Sequence, residues 1–130
     1  MSLKLSKNNA PTYQYYSTGD GSDPVTVSAT LDNAGGTINS STVTAYLVAT
    51  TYKYTGISMT VINEQAGIDW KLSLNNSTWL DTVTPADLNA LSADANCPIY
   101  IRGVVNNDGT VTTGIYTTPD IQITSTENPV

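Results

Sequence analysis

Histidine is absent from this chain of 130 residues, and cysteine occurs once, at Cys97. A Ser-His or Cys-His hydrolase needs an imidazole base beside its nucleophile, so the composition excludes that mechanism. A single cysteine cannot form a disulfide within the chain, and folding therefore does not depend on an oxidising compartment. Cys97 directly precedes Pro98, and we interpret it as a small, half-buried structural residue.

Basic residues are also scarce, with five lysines and arginines against eleven acidic residues and a net charge of −6. No cluster of positive charge is available to neutralise a phosphate backbone, so nucleic acid is not an expected partner. Long apolar runs are missing as well. We therefore expect neither a membrane-spanning segment nor a signal peptide after Met1.

The chain is instead rich in threonine, its most frequent residue, and in other residues that favour pleated sheet. Several segments alternate apolar and polar residues with a period of two, which is typical of half-buried strands. They are residues 25–31, 42–50, 57–61, 68–74 and 99–105, with shorter strands predicted at 12–17, 110–116 and 121–124. Their spacing predicts an all-β, antiparallel β-sandwich of about seven to nine strands.

Both ends of the chain and one internal segment depart from this alternation. Residues 1–10 are mostly polar, and we predict an N-terminal arm there, followed by a single domain over 11–126 and a tail over 127–130. Thr84 can cap a helix, Pro85 fits the first helical position, and Asp87 stands where a capping box has its acid. This order of residues predicts one short helix near 85–92, which Pro98 would prevent from continuing.

Two motifs resemble strands of fibronectin type III and related immunoglobulin-like domains. The spacing of Tyr100, Val104, Asn106 and Gly109 matches strand F of that family. Upstream, Asp69–Lys71 with Trp70 resembles strand C, residues 75–77 the turn after it, and Trp79 the aromatic residue of strand C′. Residues 121–124 resemble the end of strand G or an added strand. The resemblance covers residues 40–126 and implies an immunoglobulin-like β-sandwich.

The whole chain also resembles small immunoglobulin-like accessory proteins of bacteriophage virions. Its polar strands, its GDGSDP loop at 19–24 and its NNDGTV segment at 106–111 have the character of those proteins. The resemblance implies a non-enzymatic capsid decoration or tail accessory protein, made in the host cytoplasm and located on the virion surface. Its partners would be a major capsid or tail protein and further copies of itself on a symmetric lattice. No cofactor is implied.

Attachment to such a lattice is predicted to use the N-terminal arm and the tyrosines that follow it. Tyr13 and Tyr15 would share one face of a short strand, and Tyr16 would take the other. The predicted docking residues are Leu3, Lys4, Leu5, Lys7, Tyr13, Tyr15 and Tyr16. If this hypothesis is right, removal of residues 1–10 abolishes attachment and leaves the sandwich folded.

A carbohydrate-binding or adhesion module for a cell surface is the alternative function, with Trp79, Tyr52 and Tyr54 as the sugar-contacting residues. Trp70 alternates in phase with apolar neighbours, and we expect it in the core. The orientation of Trp79 depends on the turn before it, because a slip of one residue reverses every side chain of a strand. A two- or four-residue turn places Trp79 inside and a three-residue turn places it outside; we favour the core.

The acidic residues offer two further chemical possibilities, neither of which has a distinctive pattern. Asp20 and Asp23 could contribute oxygen ligands to calcium, but EF-hand spacing is absent and a hydrogen-bonded turn explains both residues equally well. A glycosidase needs only two carboxyl groups. Most acids of this chain stand at turns, however, and no pair is suitably framed, so we predict no enzymatic activity.

Overall fold

A computed structural model describes residues 3–8, 13–14, 16, 28–31, 37–62, 68–91, 96–106, 114–117 and 120–129. Within these ranges the chain forms eleven strands and no helix, and every strand pair is antiparallel. The predicted all-β, antiparallel class is therefore confirmed. None of these residues belongs to a helix that could cross a bilayer.

The first sheet is arranged around the longest strand, β9 (Asn96–Asn106). Strand β6 (Ile68–Ser73) pairs with one side of β9, and β3 (Thr37–Asn39) and β4 (Val43–Ala49) pair with the other. Strand β1 (Leu3–Ser6) pairs with the free side of β4. This places β9 in the middle of the sheet, with neighbours on both sides.

Strands β3 and β4 are two halves of one extended strand that is interrupted by a bulge. Asn39 pairs with Val104, and the amide of Ser40 continues that register by donating to the carbonyl of Gly103 at 2.8 Å. Val43 then pairs with Ile101. Residues 41–42 therefore both lie opposite the single residue 102, which is the arrangement of a β-bulge.

The second sheet has β5 (Lys53–Ile62) at its centre. Strand β11 (Asp120–Asn128) pairs along one side of β5, and the two-residue strands β7 (Thr82–Val83) and β8 (Leu88–Asn89) pair along the other. A separate pair consists of β2 (Ser28–Leu31) and β10 (Gly114–Thr117). The buried side chains of the two larger sheets form one hydrophobic cluster, an arrangement consistent with a β-sandwich.

The predicted alternation identifies the core correctly along four strands. The buried side chains from these strands are Ala45, Leu47, Ala49, Ile57, Met59, Val61, Ile68, Trp70, Leu72, Ile99, Ile101 and Val105. Leu74 continues the same pattern but is 39% exposed, because β6 ends one residue earlier at Ser73. Alternation thus locates the core face, whereas the end of the strand decides which residues reach it.

The helix predicted near 85–92 is wrong for residues 85–91, and residue 92 lies outside the described ranges. Leu88 instead pairs with Tyr54 of β5 and is buried, and the amide of Ala90 donates to the carbonyl of Tyr52 at 3.2 Å. Pairing with β5 supplies both backbone partners and apolar burial. These tertiary contacts outweigh the local helix-start signal of Thr84 and Pro85.

The predicted N-terminal arm is also wrong where the structure describes it. Leu3 and Leu5 pair with Ala49 and Leu47 of β4, and each is only 2% exposed. Without β1, the side of β4 that faces away from β9 would lack a partner, and two leucines would lose their burial. At the other end, pairing of Asn128 with Lys53 extends β11 into the segment predicted as a tail.

Several predicted features fall outside the described ranges. These are Tyr15, Asp20, Asp23, residues 25–27 and the turn at 107–109.

Candidate ligand-binding surface

The outer face of the first sheet presents partly exposed aromatic and basic side chains. Because Ile99, Ile101 and Gly103 point inward, the alternate residues Tyr100 and Arg102 point outward. The strand registers place Thr44 and Ser73 on either side of Tyr100, and Lys71 directly opposite Arg102. We call the surface formed by Tyr100, Arg102, Lys71 and Trp79 the outer patch.

The loop after β6 determines where Trp79 lies. The side-chain oxygen of Asn75 accepts hydrogen bonds from the amides of Ser77 at 3.0 Å and Thr78 at 2.8 Å, and from the Ser73 hydroxyl at 3.0 Å. Asn76 has a φ of 58°, a left-handed conformation that asparagine tolerates better than most residues. The loop is thus held by its own side chains, and its return path is fixed.

Leu80, and not Trp79, lies opposite Leu72. The backbone amides of Leu72 and Leu80 each donate to the other's carbonyl at 2.8 Å. The preceding residue, Trp79, therefore points to the opposite side, onto the outer patch. The interpretation that favoured Trp79 in the core is wrong, whereas Trp70 is 1% exposed and lies in the core as predicted.

Trp79 stacks on Arg102. The guanidinium carbon of Arg102 lies 4.0 Å from the centroid of the indole ring, within the range of a cation–π interaction. Both residues are partly buried. Sequence reasoning missed Arg102, although the inward alternation of its neighbours on β9 already indicated that it would point outward.

Lys71 lies opposite Arg102, and two carboxylates neutralise its charge. Its ammonium group is 3.0 Å from Asp69 Oδ2 and 2.6 Å from Asp81 Oδ1. The hydrogen bond to Asp81, followed by the one to Asp69, raises the pKa of Lys71. The hydroxyl of Thr60 donates to the carbonyl of Asp81 at 3.0 Å, which ties this segment to the second sheet.

Arg102 is not neutralised in this way. Neither ion pair found among the described residues includes it, and its buried Nε has no hydrogen-bond partner there. Buried donors in native proteins are nearly always satisfied, so this one is an exception that requires a reason. The indole ring of Trp79 stabilises the charge, but it does not accept the in-plane N–H bonds of the guanidinium.

The residues predicted for docking occupy several different environments. Leu3 and Leu5 are core residues, and Lys7 is exposed, with its ammonium 5.5 Å from the ring centroid of Tyr16. Tyr16 packs against the core, its amide donates to the carbonyl of Leu5 at 3.0 Å, and burial raises its pKa. Lys4 is partly buried. Two of the seven predicted residues are therefore too buried to contact a partner.

Tyr13 lies on the outer side of the first sheet. Its hydroxyl accepts a hydrogen bond from Asn96 Nδ2 at 3.2 Å, and Asn96 faces outward at the start of β9. Tyr13 thus contacts an outward residue of the first sheet, whereas Tyr16 packs against the core.

The two tyrosines predicted to contact sugars differ in burial, and the exposed one lies far from Trp79. Tyr52 is 41% exposed, whereas Tyr54 is completely buried and its hydroxyl donates to Glu127 Oε1 at 3.3 Å. The prediction of Tyr54 as a sugar-contacting residue is wrong. Asn96 pairs with Val48 near the end of β4 and lies about 20 Å along β9 from Arg102, and Tyr52 comes after that end of β4. Trp79 and Tyr52 therefore do not form one surface.

The remaining chemical groups have structural explanations. Cys97 is half-buried as predicted, its burial raises its pKa, and its thiol lies 3.6 Å from the carbonyl oxygen of Pro98. Within the described ranges, no three histidine, cysteine, aspartate or glutamate residues come close enough to hold a metal ion. The outer patch is thus the arrangement with the most distinctive chemistry.

Comparisons with protein-family models, with curated proteins and with solved structures gave no match.

Proposed function

We propose that this chain is a non-enzymatic structural interaction protein, of the kind that decorates a bacteriophage capsid or tail with an immunoglobulin-like β-sandwich. The observation that carries the proposal is the edge of the second sheet. Strand β11 is nine residues long and pairs with β5 on one side, and on its other side no strand of the described ranges pairs with it. Such an edge can add a strand from another copy.

The sequence of β11 lacks two of the features that usually prevent edge pairing, although its ladder to β5 contains a bulge between Thr124 and Thr126. Native edges are protected by lysine, by proline or by bulges that turn the edge away. Strand β11 reads DIQITSTEN and contains neither lysine nor proline. If two copies paired in antiparallel register about Thr124, Asp120 would lie opposite Asn128, and Ile121 opposite Glu127. No like charges would then face each other across the axis.

Edge pairing fits the repetitive assembly that the virion function requires. A two-fold contact repeated on a symmetric lattice lets many weak attachments act together. The adjacency of β6 and β9 supports the immunoglobulin-like part of the proposal, because strands C and F are neighbours in that fold. Strand β11 pairs with β5 and not with β9, so residues 121–124 fit an added strand and not strand G. Among the predicted docking residues, Lys4, Lys7, Tyr13, Tyr15 and Tyr16 stay in the proposal, and Leu3 and Leu5 are withdrawn.

The test compares two lysine substitutions on the same face of the second sheet. Thr124→Lys would place two added ammonium groups opposite each other across the edge, whereas Ser58→Lys adds the same charge to the paired position on the central strand. We expect the unmodified chain and Ser58→Lys to self-associate in sedimentation velocity and to co-sediment with virions of the virus that encodes the chain. Thr124→Lys should do neither. A chain that is monomeric and absent from virions would refute the proposal.

A carbohydrate-binding or adhesion module is the second candidate function, and the position of Trp79 favours it. A partly exposed indole on a sheet face can stack on the C–H face of a sugar ring. A glycan array should then give a signal that Trp79→Ala abolishes and Tyr52→Ala preserves. An array without signal would exclude this candidate and leave the virion proposal unaffected.

A further inference from the structure

We infer that the outer patch recognises acidic saccharides, with the sugar ring on Trp79 and the sugar carboxylate on Arg102. The inference rests on the carbohydrate-binding candidate function and specifies its ligand class. Three observations carry it, namely the stacking of Trp79 on Arg102, the missing partners of the guanidinium, and the neutralisation of the neighbouring Lys71.

The indole of Trp79 stays partly accessible beside the cation that it contacts. The Nε atom of Arg102 is buried, whereas Trp79 remains partly exposed. A ligand can therefore reach part of the indole, while Nε itself is closed off from solvent. The self-bonded loop at Asn75 and the double hydrogen bond between Leu72 and Leu80 hold the ring in this position before any ligand arrives.

Arg102 has no carboxylate partner in the described part of the chain, and its planar N–H groups match a carboxylate in two parallel hydrogen bonds. Lys71 does not compete for the same anion, because Asp69 and Asp81 already occupy its ammonium group. The unpaired cation of the outer patch is therefore a single, fixed guanidinium.

A single unpaired cation suits a monoanionic sugar better than a nucleic acid. A nucleic acid needs several cations along its backbone, and the chain has only five in total. A monoanionic sugar needs one cation, an aromatic platform and hydroxyl groups. Tyr100 lies next to Arg102 on the outer face, with Thr44 beside it. The net charge of −6 repels anions only over short range at physiological salt, where screening acts within about 8 Å.

The experiment compares an acidic oligosaccharide with its carboxyl-reduced form, which keeps the same ring skeleton. Uronic-acid and sialic-acid oligosaccharides are the probes, and isothermal titration with the full chain gives the dissociation constants. We expect the reduced forms to bind at least about 10-fold more weakly, because a charge-assisted hydrogen bond is lost. Arg102→Gln should weaken the acidic probe to a similar extent and affect the reduced probe much less.

Matched variants separate the site from general effects of charge. Lys53→Gln removes one cation from the second sheet and should change the affinity by less than about 2-fold. Arg102→Lys keeps the charge but loses the planar guanidinium with its paired N–H donors. It should therefore bind the acidic probe as weakly as Arg102→Gln does. Circular dichroism and urea unfolding confirm that each variant is folded.

The outcomes distinguish the inference from the function on which it rests. Equal affinity for acidic and reduced probes, or an unchanged affinity of Arg102→Gln, would overturn the inference and keep a sugar-binding module. If no probe of either kind binds, both are overturned. Loss of binding in Trp79→Ala alone, without any dependence on the carboxylate, also counts against a role for Arg102.

Discussion

At the scale of single residues, the contact between Gly103 and Trp70 shows how the sequence fills the centre of the first sheet. The two residues are direct neighbours across β9 and β6. A Cβ atom at residue 103 would lie 3.1 Å from Cγ2 of Ile68 and 3.4 Å from the Trp70 ring. The methyl group of Ile68 therefore leaves little space for a Cβ atom at residue 103, and the indole lies at an ordinary van der Waals distance from the same position.

Gly103→Ala should consequently destabilise the fold by about 1–3 kcal/mol, the usual cost of overpacking a closely packed core. Urea unfolding measures the change. In a double-mutant cycle, Ile68→Ala removes the nearest methyl group, so the alanine at 103 should cost less in that background. Equal costs in both backgrounds would show that the contact with Ile68 is not responsible.

Period-two alternation is sufficient to predict which residues around this contact point inward. It does not predict on which face of the sheet Trp79 lies. Ile99 and Ile101 lie in the middle of a long strand, where the inward phase is fixed by the strand itself. Trp79 follows a loop, and its phase depends on whether residue 79 or 80 meets Leu72. The hydrogen bonds of Asn75 decide that register, and no periodic signal encodes them.

At the scale of elements, a bulge in β5 explains why Tyr54, a residue that the sequence suggests for sugar contact, is buried. Thr124 pairs with Ser58, but Thr126 pairs with Thr55, so β5 has one more residue than β11 at this point. Gly56 provides it, with a φ of 59° that favours glycine. The bulge reverses the alternation, so Tyr54 faces inward together with Ile57.

Two tyrosine substitutions test this change of phase. Tyr54→Ala should lower the free energy of unfolding by about 3–5 kcal/mol, because it empties a fully buried aromatic site. Tyr52→Ala, two residues earlier and exposed, should change it by less than about 0.5 kcal/mol. Thermal or denaturant unfolding compares the two. Similar losses would mean that the chain lacks the bulge.

Strand β1 differs from the sequence prediction in another way. The sequence predicts a free arm there, whereas the structure shows a strand of the first sheet. Its two leucines alternate in phase with the core, but four residues are too few for periodicity to distinguish a strand from an arm. The segment forms a strand because the side of β4 that faces away from β9 can accept a pairing partner. A chain without residues 1–10 should therefore be destabilised, in contrast to the expectation for a free arm.

Leu5→Ala tests the role of β1 without shortening the chain. Because Leu5 is 2% exposed, we expect a loss of about 2–5 kcal/mol in unfolding free energy. Leu91→Ala is the matched control, since Leu91 is 77% exposed and the same change should cost less than about 0.5 kcal/mol. If Leu5→Ala were as mild as the control, β1 would be an arm in solution.

At the scale of the whole molecule, the chain crosses between the two sheets at almost every step after β4. Strand β5 lies in the second sheet, β6 in the first, β7 and β8 in the second, β9 in the first and β11 in the second. The turn at 50–52 therefore joins two layers and does not close a hairpin. Turn residues indicate where the chain reverses, but not which strand it then pairs with, so the strands were predictable and the pairing was not.

This topology also predicts slow folding. The main pairs, β4 with β9, β6 with β9 and β5 with β11, join strands that are far apart in sequence, so loops must close before any pairing stabilises them. We expect refolding in roughly milliseconds to seconds. Stopped-flow fluorescence can follow it through the buried Trp70. Because the chain has six prolines, double-jump experiments with brief unfolding should separate this phase from proline isomerisation. Submillisecond refolding would contradict the pairing order, because only local contacts form that fast.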